Sequence, residues 1–313
     1  MTDKRIWRGI QVVAVAAVLV YVARRIASQW GELASLQQSI NVDWPMVAAS
    51  ALIVLCSYAV LIWTWQQTVR AWGERLGFRD ASRIWFVSNL GRYVPGKIWQ
   101  IGAMGMLAQR VGVSPVAAIG SSLVISIVNV LAGVAIAVAL GVGSAAGQAA
   151  WWAAPLIGVL AAGVIAAPWI LPVAVRAASV ILRRQLQTPK LPHSAIWKAA
   201  IGCSAAWLLY GIAFRLLHIS LLGHATGDIA RSTAAFTGSY IAGFLFLPAP
   251  GGIGIREDFL QRFLIQFGIA AGAEAWLIVL ASRAWLTILE VLPGLAYLMF
   301  TKRAPKTSSP EAE

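Results

Sequence analysis

Two short runs carry most of the chemistry available to this chain: Gly91-Arg92-Tyr93-Val94-Pro95-Gly96-Lys97-Ile98-Trp99-Gln100 and Pro248-Ala249-Pro250-Gly251-Gly252-Ile253-Gly254-Ile255-Arg256-Glu257. Each breaks a hydrophobic stretch with Pro-Gly and flanks the break with charge. In the second run, Gly251, Gly252 and Gly254 permit close backbone approach, and a helix starting near Ile255 would aim its first N–H groups at the bend. Arg256 adds positive charge in that first turn, so the tip can cradle an anionic phosphate. Glu257 and Asp258 suit the same helix start as dipole-matching acids. In the first run, Arg92 and Lys97 flank Pro95-Gly96 and can hold a phosphate, with Gln100 as a neutral partner. The competing reading is that both cations snorkel to lipid headgroups.

Further polar residues fall in helical register. Ser122, Ser126 and Asn129 stand at i, i+4 and i+7, and Arg283, Thr287 and Glu290 repeat that spacing. Each set shares one helical face, and the two faces are expected to point at one another and line a pathway with the Pro-Gly tips. Packing is the alternative: Ser and Asn in membrane helices serve as interhelical hydrogen-bond glue. Arg283 and Glu290 can pair with charges of the second run, yet ionisable residues at such depth are functional candidates. Enzyme signatures are absent from the sequence: no HExxH, nucleophile elbow or P-loop, and His193, His218 and His224 are scattered. The chain is expected not to be an enzyme and to need no metal and no cofactor.

The elements that must position these residues are membrane spans. With 59% hydrophobic and only 12% charged residues, the composition is that of a polytopic membrane protein. Hydropathy predicts six spans of about 20 residues, at 7–23, 46–65, 116–140, 151–173, 196–218 and 274–300. Trp44, Trp63, Trp65, Trp151 and Trp152 near their ends read as interfacial anchors. Lys4, Arg5 and Arg8 before an apolar run imitate a signal peptide, but Arg24-Arg25 follows without a small-residue cleavage site, so a retained span is expected. Cys56 and Cys203 lie in apolar segments and read as small core hydrophobes. The net charge of +13 does not indicate nucleic acid, because the basic residues sit in short loops.

The stretches 84–109 and 236–268 are apolar but carry Pro-Gly and charge in the middle. A straight span would place Arg92 or Arg256 in hydrocarbon. Limbs of about 12 residues reach only about 18 Å, so both stretches are expected to enter partway and return as re-entrant helical hairpins. Loop charge puts both termini in the cytoplasm, with Arg70, Arg75, Arg79, Arg83, Arg110, Arg184 and Lys198, and puts the loop at 141–150 on the opposite side. Three spans separate the hairpins, so they enter from opposite faces. The fold class is therefore all-α and polytopic: about six transmembrane helices plus two re-entrant hairpins, in inverted repeats of about 1–145 and 146–300 within one transmembrane domain, 1–300. Residues 301–313 form a disordered cytoplasmic tail in this reading.

Arg-Tyr-x-Pro-Gly and Pro-Gly-Gly-x-Gly-x-Arg-Glu, in this order, resemble the lysylphosphatidylglycerol synthase transmembrane-region family, over most of the chain up to Phe300. That family includes the flippase domain of the multiple peptide resistance factor and stand-alone membrane proteins. The resemblance implies movement of a lipid with a polar head, for example an aminoacylated phosphatidylglycerol. In the full-length factor a separate soluble domain attaches the amino acid. These 313 residues leave no room for one, so synthase activity is not carried over.

The expected function is a flippase or transporter of an anionic, phosphate-containing lipid, whether a phospholipid, an aminoacylated phospholipid or a polyprenyl-phosphate-linked glycan. Broken helices at corresponding positions of two repeats point the same way. An intramembrane headgroup transferase using Glu257 or Glu290 as base, and a scaffold recruiting a synthase, are the alternatives. The expected binding set is Arg92, Lys97, Gln100, Asn129, Gly251, Gly252, Gly254, Arg256, Glu257, Arg283 and Glu290. The partners are a membrane lipid with a phosphate headgroup and no nucleic acid; a separate synthase or glycosyltransferase and a homo-oligomer are compatible with the sequence. The expected location is the inner, cytoplasmic membrane of the cell.

Overall fold

A computed structural model describes residues 42–93, 98–142, 192–246 and 250–300, together with Arg24. All regular structure among the described residues is helical. Long apolar segments form α1 (Trp44–Ala71), α4 (Pro115–Val142), α5 (His193–Leu222) and α8 (Gly272–Phe300). These four are long and apolar enough to cross a membrane, and they contain the spans expected at 46–65, 116–140, 196–218 and 274–300. The spans expected at 7–23 and 151–173, the loop at 143–150 and the tail at 301–313 lie outside the described residues.

Between the long helices stand shorter ones. The first broken stretch forms α2 (Phe78–Asn89), a 3-10 turn at Leu90–Tyr93, and α3 (Ile98–Gln109). The second forms α6 (Ile229–Leu245), a 3-10 turn at Pro250–Gly252, and α7 (Ile255–Gln266). Their starts and stops are chemically marked. The Asp43 carboxylate accepts from Met46 N to cap α1, Asp228 accepts from Arg231 N to cap α6, and left-handed Gly223 ends α5. Within α8, Pro293 removes one backbone donor, and the adjacent Gly294 lets the backbone of α2 approach at Phe86.

The bundle is built on a seam between α1 and α5. Asp43 N donates to Ser220 O, Ser50 Oγ to Ala213 O, and Ser57 Oγ to Ala206 O. Residue numbers rise by seven on α1 as they fall by seven on α5, so the helices are antiparallel. Small residues make this possible: a Cβ at Gly202 would run into the Thr64 side chain. Hydroxyl donors facing carbonyls across such a seam contribute about 0.6 kcal/mol each and rarely more than 1.7.

The contacts repeat between the two halves. Exchanging α1–α4 with α5–α8 carries the α1–α2 contact onto α5–α6, α2–α3 onto α6–α7, α3–α4 onto α7–α8 and α2–α8 onto α6–α4. It likewise carries α1–α4 onto α5–α8 and α4–α5 onto α8–α1. The α1–α5 seam maps onto itself.

Charge divides between the two ends of the bundle. Around the end of α1 and the start of α5 stand Arg70, Arg75, Arg79, Arg83, Arg110 and Lys198, with Glu74 and Asp80; Glu74 accepts from Ser114 N and so joins the α3–α4 loop to this end. At the other end are Asp43, Asp228 and Glu274, with Arg231 and with Arg215, whose Nη1 donates to Gly227 O. There Thr226 Oγ1 donates to Ile269 O, and Arg231 to Phe267 O, joining the start of α6 to the end of α7. The α2–α3 pair therefore begins and ends at the basic end, the α6–α7 pair at the other, and their 3-10 turns meet inside the bundle.

Two single-residue expectations change. Trp65 is no interfacial anchor: it is fully buried, and its Nε1 donates to Ser122 Oγ, whereas Trp44 and Trp63 are exposed. The reason is facing, since Trp63 and Trp65 lie on opposite sides of α1. Cys203 is buried as expected, but Cys56 is exposed on the outer surface of α1.

The seam yields a direct test. Gly202→Ala or Gly202→Leu forces α1 from α5 and lowers stability by about 1–3 kcal/mol, read as a lower thermal transition in detergent, with the leucine variant the worse of the two.

Candidate functional site

Local backbone chemistry brings the two tips together. At the second tip, Gly252 (φ +68°) and Gly254 (φ +86°) occupy left-handed backbone conformations that other residues resist. A Cβ on Gly252 would lie 2.7 Å from Gly243 O, and one on Gly243 would lie 2.8 Å from Arg256 Cβ, so α6 and the start of α7 touch nearly backbone to backbone. Gly254 N donates to Glu257 Oε2, the carboxylate half of a capping box, which closes the first turn of α7. At the first tip the same device recurs: a Cβ on Gly91 would sit 2.9 Å from Gln100 N.

Three arginines and two glutamates meet there. Arg92 Nη1, from the first tip, donates to Glu290 Oε1 of α8 at 2.7 Å and to Tyr240 Oη of α6 at 3.0 Å. Arg283 of α8 reaches the second tip, with Nη1 donating to Gly251 O at 3.0 Å and Nε lying 3.6 Å from Glu257 Oε1. Arg256 is different. Its guanidinium packs against the adjacent rings of Phe236 and Tyr240, 5.3 and 5.2 Å from their centroids. It is only 5% exposed, and its Nε and Nη2 have no hydrogen-bond partner among the described residues. Among the described residues of the cluster, three guanidiniums face two carboxylates, so one positive charge is left over, and the pairing assigns it to Arg256.

Two cavities flank this cluster. The smaller, about 50 Å³, is walled by both tips and by Arg256, Arg283 and Glu290. The larger, about 170 Å³, is walled by α1, α4 and α5, including Asn129, Ser122 and Ser126. Arg92, Gln100, Tyr240 and Phe244 line both.

The structure thus brings Arg92, Gln100, Gly251, Gly252, Arg256, Arg283 and Glu290 around one cavity, while Gly254 and Glu257 form the cap of α7 beside Arg256 and do not line it. Asn129 lies in the neighbouring cavity. Lys97 is outside the described residues. Arg92 and Arg283, expected to face phosphate alongside Arg256, already hold acids, and Glu290 pairs with Arg92 rather than with Arg256. Asp258 turns away and pairs with Arg262 at 2.7 Å along α7. The faces of α4 and α8 line adjoining cavities rather than opposing each other directly. Ser126 Oγ donates to Ser122 O and Ser122 Oγ to Ala118 O, both within their own helix, while Ser122 Oγ also accepts from Trp65 Nε1 of α1, the interhelical bond of the packing reading.

Sequence reasoning missed the aromatic residues. Tyr58 and Tyr210 meet edge to face at 6.0 Å, and Tyr240 stacks on Tyr210 at 6.4 Å and meets Trp207 at 5.4 Å. A signal was present: Tyr58 and Tyr210 fall in the middle of their spans, far from the interfaces where tyrosine ordinarily collects.

Four membrane-length apolar helices, with shorter broken helices meeting at a buried ionic cluster, define a polytopic helical membrane protein. Comparison with known families matches residues 10–294 to the lysylphosphatidylglycerol synthase TM region, and the chain belongs to that family. Membership implies a membrane lipid-related function. No curated protein matches the chain.

The Arg92–Glu290 pair can be tested by a double-mutant cycle. Arg92→Leu or Glu290→Leu alone strands a buried charge, at a cost of about 3–5 kcal/mol for a fully buried pair; with Arg92 22% exposed, the lower end is expected. The double variant recovers most of that loss, and additive losses would show that the two side chains do not act as a pair.

Proposed function

We propose that this protein moves a phosphate-bearing lipid across its membrane, with Arg256 receiving the phosphate. The observation that carries the reading is the buried Arg256 guanidinium, whose Nε and Nη2 lack partners among the described residues. An uncompensated charge at that depth is costly, and a phosphate oxygen pair matches the fork of a guanidinium. Arg92 and Arg283 set the walls of the site while spending their charge on Glu290 and Glu257. That same pairing weighs against a headgroup transferase, which would need one of these acids available as a base.

In this reading the α2–α3 and α6–α7 pairs are re-entrant hairpins entering from opposite faces, and the two halves are inverted repeats. The antiparallel seam and the exchange of contacts between halves support it, because a two-fold axis in the membrane plane relates antiparallel helices. The 12-residue helices α2, α3 and α7 reach about 18 Å, and the 17-residue α6 about 25 Å, each short of a hydrocarbon core of about 30 Å. The basic end of the bundle faces the cytoplasm, in keeping with the positive-inside rule, and the membrane is the inner membrane of the cell.

Topology is tested by labelling in a chain whose Cys56 and Cys203 are replaced by alanine. A cysteine at Lys198 stays protected from an impermeant maleimide in intact cells while one at His224 reacts; the reverse pattern would invert the proposed orientation.

Function is tested with Arg256→Met, which keeps side-chain volume against Phe236 and Tyr240. Lipid movement in reconstituted vesicles is expected to drop at least about tenfold, equivalent to 1.4 kcal/mol, while thermal stability is retained, since no internal partner is stranded. Arg256→Lys keeps charge but loses the fork, so it restores only part. Undiminished movement by a stable Arg256→Met would rule out the phosphate role.

A further inference from the structure

The larger cavity has a chemistry that phosphate binding does not use. Its walls present the amide side chains of Asn89, Gln100 and Asn129 beside the rings of Trp207, Tyr210 and Tyr240. Among the described residues that line it, Arg92 is the one charged side chain. We infer that this cavity receives an uncharged, hydroxyl-rich headgroup, of the size of glycerol or one six-membered polyol ring, joined to the phosphate held at Arg256. The inference rests on the proposed lipid movement and names the class of lipid.

Geometry supports a headgroup in one cavity and its phosphate in the other, because the two share the walls Arg92, Gln100, Tyr240 and Phe244. Amides both donate and accept, which suits hydroxyl groups that do the same. Gln100 Nε2 already donates to Asn89 Oδ1, so these two side chains are oriented relative to each other before any ligand arrives. The rings supply apolar faces for the C–H surface of a polyol. Size limits the head, since a cavity near 150 Å³ accommodates one benzene ring and this one measures about 170 Å³.

An ammonium headgroup is disfavoured. Ring faces attract cations, but no carboxylate among the described residues lines this cavity, and Arg92 in its wall repels a second positive charge. Glu290, the nearest acid in the cluster, lines the other cavity and is engaged by Arg92.

The test compares four acyl-labelled lipids in phosphatidylcholine vesicles holding the full chain: phosphatidylinositol, phosphatidylglycerol, phosphatidic acid and lysylphosphatidylglycerol. The first two are expected to move at least about tenfold faster than the last two, a modest demand on a site that hydrogen-bonds hydroxyl groups. Asn129→Leu brings the first two down to the rate of phosphatidic acid and leaves that rate unchanged. Equal rates for all four, a preference for the lysyl lipid, or no effect of Asn129→Leu would overturn the inference while leaving lipid movement intact. Binding is read separately by thermal shift with inositol 1-phosphate, inorganic phosphate and phosphoethanolamine. If no lipid moves but inositol 1-phosphate stabilises the native chain more than the other two, and Asn129→Leu removes the difference, the headgroup assignment stands and the transport reading fails. If inositol 1-phosphate has no advantage in the native chain, the headgroup assignment fails.

Discussion

Charged side chains among apolar helices need partners, and that constraint organises the centre of this protein. Glu290 holds the first tip through Arg92, and Arg283 holds the second through Gly251 O and Glu257. Both anchors lie on α8, seven residues and about 10.5 Å apart along one face. One helix therefore clamps two broken helix pairs that come from opposite ends of the bundle. Pairing of this kind adds little net stability over an apolar core, yet losing one partner is expensive. Its effect is to fix where the tips meet, and so where the cavities lie.

The seam beneath this cluster is built from the opposite chemistry. Ser50, Ser57 and Gly202 bring α1 and α5 close enough for hydroxyl-to-carbonyl bonds, without any charge. Around it the two halves repeat their contacts, but their polar residues differ. Where α8 carries Arg283, Thr287 and Glu290, α4 carries Ser122, Ser126 and Asn129 at the same spacing. A near-symmetric scaffold thus holds an asymmetric interior, ionic on the α8 side and neutral on the α4 side. The two adjoining cavities follow from that difference.

Much of this was legible in the sequence because it rests on local signals. Apolar length foretold α1, α4, α5 and α8, and Pro-Gly breaks foretold two pairs of short helices. Register at i, i+4 and i+7 found the polar faces. Pairing was not legible, since Arg92 and Glu290 are 198 positions apart and nothing in a single chain says which acid an arginine will meet. Trp65 shows the same limit: its position near a predicted span end suggested an anchor, whereas the face of α1 on which it lies buries it against α4. The tyrosine cluster was overlooked because its members come from three helices and gain meaning only when those helices pack.

The three arginines of the cluster share a residue type and a depth, so their roles are set by what surrounds each guanidinium. Arg92 and Arg283 find carboxylates and carbonyls and act as braces. Arg256 stands in the first turn of α7, where its own neighbour Glu257 is turned back to cap Gly254 N and toward Arg283. That bond thus does two things at once: it completes the helix start and it holds the adjacent acid in other contacts. The adjacent rings of Phe236 and Tyr240 then pack against the guanidinium, and among the described residues its Nε and Nη2 meet no hydrogen-bond acceptor. A buried side chain packed against two rings, with N–H groups unmet among the described residues, has less conformational entropy to lose when a ligand arrives. An anion that meets those groups therefore gains its contacts at a lower ordering cost than a surface arginine would bear.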